Sequence, residues 1–580
     1  MSNEVSAQGL RYAVDESPPP ALAAGLGLQI VVLIIAGIVL TPTVVMRAAE
    51  QPADLTEWVI FAGLLIAGIT TMLQARPLGR FGAGYVLFMG TSGAFIAISI
   101  EAVEAGGLAL MATLVVASSL IQFLFSHYLG QLRNIITPTV GGTVIMLIAV
   151  TVFPIAFKMI NTQPEGLPEQ SLAGPATATL SFVVILAISL FAKGSLRLWG
   201  PFVGVLLGSA LAYALGLMDL SAVAKAPWIG LPSASWPGFD LSFDADFWLL
   251  LPAFAIVTVV GAIETYGDGV AIQRLSKRGQ EPIDFRAVQG AVNADGLGNL
   301  LSGLFGTLPN TTYSTSLSVV DLTGVAARAV GLFGGAFLLL IAFCPKVATL
   351  LMAVPSAVAG AYIMILLILL FLHGLKMVAE EGLSFENGMV VCVSFWLAVG
   401  FQDQAIFPDV LPEWSRALLD NGMTAGGIVA LLLMSLVRLR RGRMPHIDLP
   451  ARIGAIDQAQ QFVAEVARSC GWDRDAILRL ELVTEEAMLF LLESGAEETD
   501  RGRRLRLSAK AEHGQQVHLE LLSGAAGENF ERALTRVDLE APPREDEVGL
   551  RVLARLAEQV RHQQFHGVDV LLVTVGSKPL

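Results

Sequence analysis

Charge is scarce in this chain. Asp, Glu, Lys and Arg make up 15% of its 580 residues, against about 25% in soluble globular proteins. The shortage is uneven: residues 451–580 hold 16 of the 37 Lys/Arg and 22 of the 50 Asp/Glu. The first 450 residues are therefore membrane-like and the last 130 soluble-like. Cysteine is scarcer still. Cys344, Cys392 and Cys470 lie far apart and mostly in apolar runs, which excludes a disulfide framework and a zinc site. The basic excess that nucleic acid requires is absent, since the net charge is −13, and no nucleic-acid partner is expected. There is no phosphate-binding glycine loop with a Lys, no metal-ligand cluster and no Ser/His/Asp set, so neither an enzyme nor a metal or organic cofactor is expected. No secretory signal is expected either. The N-terminus is polar up to Pro18-Pro19-Pro20, and the apolar run after it is too long for a signal-peptide core.

What the chain has in abundance is apolar length, with a mean hydropathy of +0.65. Crossing a hydrocarbon core of about 30 Å takes roughly 20 helical residues. Fourteen candidate spans can be read, at 22–46, 57–74, 84–101, 108–126, 135–157, 176–193, 200–217, 247–270, 290–306, 311–327, 329–344, 355–375, 386–402 and 423–437. With that count, the N-terminal segment and the connections after even-numbered spans carry 16 Lys/Arg, and those after odd-numbered spans carry 5. The bias predicts both termini on the cytoplasmic side of a cell (inner) membrane. The expected organisation is a cytosolic segment 1–20, a transmembrane domain 21–440 and a basic linker 441–454. A cytosolic α/β domain follows at 455–580, with helices near 455–470, 475–493 and 547–560 and strands at 503–510, 516–522 and 567–575. Arg438, Arg440, Arg441 and Arg443 would anchor the end of the last span against anionic lipid.

Two spans are poor helices: the third, around Gly90-Thr91-Ser92-Gly93, and the tenth, around Pro309-Asn310-Thr311-Thr312-Tyr313-Ser314-Thr315-Ser316. Each is third in its half of seven. Matching interrupted segments in two halves point to an inverted-repeat transporter with its site near the bilayer midplane. The plainer alternative is that Gly and Ser there only allow close helix packing.

An ionisable side chain inside a span is costly and marks function by default. Glu264 and Asp268 of the eighth span are four residues apart, so both carboxyls project from one helical face. Two carboxylates close together in a low dielectric do not both ionise easily, which suits proton uptake and release; an ionised one accepts N–H bonds from a heterocycle. The opposing possibility is a solvated cytoplasmic end, open for Asp268 because Arg274 follows. In the tenth span, Tyr313, Thr315, Ser316 and neighbouring hydroxyls lie at a short helix start that favours an electron-rich group, unless the hydroxyls merely cap the helix. Thr91 and Phe95 hold the equivalent place in the third span, Phe95 either to stack on a planar ligand or to pack. Gln29 is a lone amide among Leu and Val in the first span. Substrate-binding candidates are thus Glu264, Thr315, Ser316, Tyr313, Phe95, Thr91 and Gln29; Glu264 and Asp268 are the proton-coupling candidates.

These segments resemble the nucleobase–ascorbate transporters, or xanthine/uracil permeases. The resemblance is carried by Glu264-Thr265-Tyr266-Gly267-Asp268, Asn293-Ala294-Asp295-Gly296-Leu297-Gly298 and Pro309-Asn310-Thr311-Thr312-Tyr313-Ser314. Thr323-Gly324-Val325-Ala326-Ala327-Arg328, Gly27-Leu28-Gln29 and Ala36-Gly37-Ile38-Val39-Leu40-Thr41-Pro42 extend it over about residues 18–440. The resemblance implies an all-α fold of fourteen spans as 7+7 inverted repeats, with core and gate domains. It also implies a homodimer through the gate, elevator-like transport coupled to H⁺ or Na⁺, and Glu264 as the group that binds a base's N–H. The family's tenth-span Gln or Glu, Asn and Gly are replaced here by Thr315, Ser316 and Ser318, and Ile30 stands where many members have His.

The tail is similar to the histidine-kinase-type ATPase domains of anti-sigma-factor serine kinases, through Glu481-Leu482-Val483-Thr484-Glu485-Glu486-Ala487 and Val548-Gly549-Leu550-Arg551-Val552-Leu553. Phe490 stands at the Asn that holds Mg²⁺ in those folds, and Ser523-Gly524-Ala525-Ala526-Gly527 lacks the adenine-reading Asp. Both losses argue against ATP binding and for a degenerate module with a regulatory protein partner. The leading expectation is a proton-coupled symporter of a base of the xanthine, uracil or uric acid class. A sulfate-permease-like anion transporter and a transporter-derived sensor are the alternatives.

Overall fold

The computed structural model describes residues 10–578 except 129–136, 163–170, 235, 279–280, 403–405, 407–418, 420–421, 441–443, 494–503, 513–514, 525–528, 536–546 and 567. Arg441 and Arg443 of the expected lipid anchor, and Ala525–Gly527 of the tail motif, lie outside the described residues. The chain forms two compact units. One is residues 1–279 with 290–438; the other is 280–289 with 439–580.

The first unit is helical. Its main helices are α1 (Pro20–Ala48), α2 (Ala53–Ala75), α3 (Ile96–His127), α4 (Pro138–Asn161), α5 (Ala173–Phe191), α6 (Gly200–Ala214) and α7 (Ala245–Leu275). After these come α8 (Phe285–Leu304), α9 (Thr315–Thr323), α10 (Arg328–Ala342), α11 (Pro345–Met352), α12 (Ser356–Glu381), α13 (Phe385–Phe401) and α14 (Gly422–Arg440). Among the described residues nine helices are long and apolar enough to cross a membrane, or ten if α10 and α11, bent by 81°, form one span. The protein is thus a mostly helical, multi-pass membrane protein; the remaining expected spans fall on shorter or more polar elements. The single helix α3 takes in the expected third and fourth spans. Gly106 and Gly107 break it, and the φ of +69° at Gly107 is one that glycine adopts without strain.

Helix starts follow local chemistry. Pro20 and Pro138 open α1 and α4 with a preset φ and no orphan N–H. Asp244 caps α7 by accepting from Phe247 N at 3.2 Å. The apolar core joins residues such as Leu40, Phe95, Met111, Ile145, Phe254 and Val358. Small residues set the closest approaches: a Cβ on Gly27 would lie 2.8 Å from Gly334 N, and one on Gly334 would lie 2.1 Å from the Phe88 ring, so α1, α10 and Phe88 meet over glycines.

The second unit contains a five-stranded antiparallel sheet in the order β3-β4-β5-β7-β6. The strands are β3 (His446–Pro450), β4 (Arg504–Glu512), β5 (Gln516–Ser523), β6 (Gln559–Phe565) and β7 (Val568–Gly576). Alternation places Leu505, Leu507, Val517, Leu519 and Leu521 in one core with residues of α15 (Ile456–Ser469) and α16 (Arg474–Glu493). Two short helices, α17 (Phe530–Thr535) and α18 (Val548–Leu556), complete the unit. Both edge strands escape the sequence pattern because edges are polar. Since β3 pairs with β4, this fold begins upstream of the expected boundary at 455, and part of the expected linker is sheet. Arg506 clamps the β3 edge with bonds of 2.7 and 3.1 Å to Asp448, and those bonds hold the Asp448 carboxyl below the usual carboxylate range.

Gly334→Ala is expected to overpack the α1–α10–Phe88 contact at a cost of about 1–3 kcal/mol. Unfolding of detergent-solubilised protein followed by fluorescence should show a lowered Tm; an unchanged Tm would mean the helices separate freely there.

Candidate substrate and ion-coupling site

The two interrupted segments, expected as the third and tenth spans, meet. Each begins with a four-residue strand, β1 (Phe88–Thr91) and β2 (Asn310–Tyr313), which pair antiparallel in the register Phe88–Tyr313, Met89–Thr312, Gly90–Thr311 and Thr91–Asn310. β1 leads through a 3₁₀ turn into α3, and β2 into α9. Non-helical backbone at bilayer depth must be satisfied by protein, and here side chains complete the pairing. Met89 N donates to Thr71 Oγ1 at 3.0 Å and Phe88 N to Ser316 Oγ at 3.2 Å. Thr91 Oγ1 donates to Ile38 O at 3.1 Å. Gly90 is needed because a Cβ would lie 2.2 Å from the Tyr313 ring. Tyr313 donates from its hydroxyl to Thr91 O at 2.9 Å. A Cβ on Gly37 would lie 2.9 Å from the Tyr313 hydroxyl and 3.3 Å from that of Tyr362, so α12 reaches the same point.

Three carboxyls surround the crossing. Asp268 is only 5% exposed and accepts from Thr312 Oγ1 at 2.7 Å and from Ser314 Oγ at 3.0 Å; it is not a solvated helix end. Asp295 on α8 is fully buried and accepts from Gln122 Nε2 at 2.7 Å. Its neighbours extend the chain of bonds: Asn299 Nδ2 donates to Gln122 Oε1 at 2.8 Å, Asn310 N to Asn299 Oδ1 at 2.6 Å, and Asn310 Nδ2 to Thr70 Oγ1 at 2.9 Å. Thus α3, α8, β2 and α2 share one polar network. Glu264 differs from both: it is half-buried, faces the charges of Asp268 and Asp295, and accepts no hydrogen bond among the described residues. An apolar cavity of about 160 Å³ between α4, α7 and α14 ends at Ile263, beside it.

Of the residues singled out in the sequence, Glu264, Asp268, Thr91, Tyr313 and Ser316 come together at the crossing. The hydroxyls of Thr91 and Ser316 are already committed to backbone, the latter donating to Tyr313 O. Thr315 opens α9 half-buried, and Ser314 before it gives the helix no side-chain cap, since its hydroxyl goes to Asp268. Phe95 is buried against Phe254, centroids 6.2 Å apart. Gln29 is not brought to the group: it lies eight residues before Gly37 on α1, about 12 Å of helical rise. The structure adds Asp295, Gln122, Asn299 and Tyr362. Asp295, a charge inside an apolar span, was detectable by the rule that picked Glu264; Tyr362 gave no signal.

A helical bundle with many apolar helices and a pair of strand breaks is the architecture of a multi-pass membrane protein. The family model Xan_ur_permease, described as "Permease family", matches residues 23–408, and the chain belongs to that family, the xanthine/uracil permeases. A putative purine permease of Clostridium perfringens (strain 13 / Type A) is 28% identical over 435 residues, covering 74% of this chain and 93% of that one. Xanthine permease XanP of Escherichia coli (strain K12) is 26% identical over 439 residues, covering 73% and 94%. Among solved structures, the murine Solute Carrier 26 family member A9 anion transporter in the inward-facing state aligns with a TM-score of 0.51 at 14% identity, covering 74% of this chain and 70% of that one. That likeness concerns the fold alone.

Thr312→Val should destabilise the protein by about 1–3 kcal/mol, the cost of leaving a buried acceptor short of a donor. In a double-mutant cycle with Asp268→Asn the two losses should be non-additive; simple additivity of the Tm shifts would show that the bond is idle.

Proposed function

We propose that this chain is a secondary active symporter of a nucleobase-like planar heterocycle, of the xanthine, uracil or uric acid class. The observation that carries the proposal is Glu264, a half-buried carboxyl that accepts no hydrogen bond among the described residues, one turn from Asp268 and beside the strand crossing. A carboxylate so placed accepts N–H bonds from a base. The uncapped amides at the start of α9, near Thr315, meet the base's carbonyl oxygens. Tyr313, Thr91 and Ser316 fix the strands on which this geometry depends, and Phe95 offers an aromatic plane. Gln29 takes part only if α1 moves. The printed names of the relatives, a putative purine permease and xanthine permeases, support the substrate class.

Proton coupling follows from the charge inventory. Among the described residues the hydrogen-bond partners of Asp268 and Asp295 are hydroxyls and an amide rather than Lys or Arg. Charge without a counter-ion is costly at this depth, so a site that binds a proton with its cargo crosses the bilayer more readily than a charged one. Glu264 and Asp268 are the proposed proton carriers, with Na⁺ the alternative ion. In this reading fourteen spans form 7+7 inverted repeats with core and gate domains, the third and tenth spans giving the pseudo-symmetric pair. The core moves as an elevator, the gate forms a homodimer, and both termini face the cytoplasm of an inner-membrane protein, as the lysine and arginine bias favours.

For the tail we propose a degenerate ATPase-like module with a regulatory role. Phe490 packs edge-on against Phe530 at 4.3 Å and near His562 at 6.4 Å, filling with aromatic rings the place where such a fold would hold Mg²⁺. ATP titrated into the full-length protein should give no binding heat; saturable heat would restore a nucleotide site. The hydroxyl-rich start of α9 favours a second reading, an anion carrier. Thermal-shift screening of purified protein against bases and small inorganic anions separates the two, with stabilisation by bases expected. A sensor would bind a base without counterflow in proteoliposomes.

The central test is Glu264→Gln. It should abolish uptake of radiolabelled xanthine, uracil and urate into proteoliposomes under an imposed pH gradient, with the protein still folded in the membrane. Normal proton-driven uptake by that variant overturns the assignment.

A further inference from the structure

The second compact unit contains more than the C-terminal chain: residues 280–289 belong to it. That segment joins α7, which carries Glu264 and Asp268, to α8, which carries Asp295 and Asn299. Asp284 starts α8 by accepting from the backbone of Arg286 at 2.9 Å and of Ala287 at 3.2 Å. Three interactions of different kinds then hold the first turn. The ring of Phe285 lies 5.4 Å from that of Phe565. Gln289 accepts from His566 N at 2.8 Å. The Arg286 guanidinium lies 4.0 Å from the carboxylate of Asp569, whose side chain is fully buried. All three partners sit at the turn between β6 and β7, where Asp569 also receives Gln564 Nε2 at 3.1 Å and faces His562 at 3.5 Å.

We propose that the β6–β7 hairpin is a docking surface for the start of α8, and that through it the tail domain restrains the transport cycle. The proposal rests on the carrier reading above. Only residues 285–289 of α8 belong to this unit, and the rest of the helix carries the carboxyl network of the other. Any step of the cycle that draws the start of α8 away from the hairpin gives up the ring contact and the hydrogen bond from His566 N to Gln289. It also draws the Arg286 guanidinium away from the Asp569 carboxylate, which keeps Gln564 and His562 beside it. The docked arrangement is therefore favoured, and departure from it slowed, by the differential stability of the two states. A cytosolic partner that binds the hairpin would relieve the restraint, which gives a non-catalytic tail a function.

The test uses the full chain with Cys344, Cys392 and Cys470 replaced by alanine, once its uptake of radiolabelled xanthine is established. That requirement separates failure of the carrier reading from failure of this one. Phe285→Cys with Phe565→Cys removes the ring contact, and a short bis-maleimide restores a link. With the thiols free, initial uptake should rise about threefold or more, the size expected for coupling between such elements, and cross-linking should return it to the parental rate or below. Arg286→Ala, at a half-exposed side chain outside the hairpin, should also raise uptake and does not depend on the hairpin tolerating cysteine. The proposal is overturned if no cross-link forms, if the cross-link leaves uptake unchanged, or if both the free-thiol pair and Arg286→Ala transport at the parental rate.

Discussion

The four residue pairs from Phe88–Tyr313 to Thr91–Asn310 impose the constraint from which the rest of the membrane unit follows. Strand backbone at bilayer depth has no water to complete its hydrogen bonds, so each interrupted span is viable only because the other supplies partners. The outward-facing groups must then be met by side chains, and Thr71 and Ser316 meet them. Glycines at 37 and 90 follow from the same demand, since the Tyr313 ring leaves no room for a Cβ at either place. A carrier gains from this arrangement. The paired strands lead into α3 and α9, and Glu264 lies on a third helix, α7.

Around that crossing most polar side chains hold the scaffold. Asp268 accepts from two hydroxyls and Asp295 from the Gln122 amide, and these bonds with those of Asn299 tie α7, α3 and α8 to β2. Such a network specifies geometry because each member is costly to leave unmet. Glu264 differs from these two acids in that it accepts no hydrogen bond among the described residues. The hydroxyls that replace the family's tenth-span Gln or Glu and Asn thus have a structural account. Ser316 closes the strand pair, and Thr315 is left at the open helix start.

Much of this was legible in the sequence. The breaks at Gly90–Gly93 and Pro309–Ser316 were visible because glycine, proline and clustered hydroxyls are rare in an unbroken span. Glu264 and Asp268 stood out because charge is expensive there. The tail strands β4, β5 and β7 were visible because each alternates over a buried face, whereas β3 and β6 are edges with polar sequences such as Gln559-Val560-Arg561-His562-Gln563-Gln564. Tyr362 and Gln122 could not be read at all, since one aromatic or one amide in an apolar helix gives no direction until its neighbours are known.

The sequence alone determined that a long apolar chain enters the membrane many times, breaks near Gly90–Gly93 and Pro309–Ser316, carries an acid pair at Glu264 and Asp268 and ends in an α/β domain. These are local properties, set by hydropathy, backbone freedom and spacing along one helix. Tertiary structure alone decided that the two breaks hydrogen-bond to each other, that Asp268 is held by Thr312 and Ser314 while Glu264 accepts no bond among the described residues, and that residues 280–289 belong with the tail. Those outcomes depend on which groups far apart in the chain arrive within bonding distance, and no periodicity along the chain encodes that.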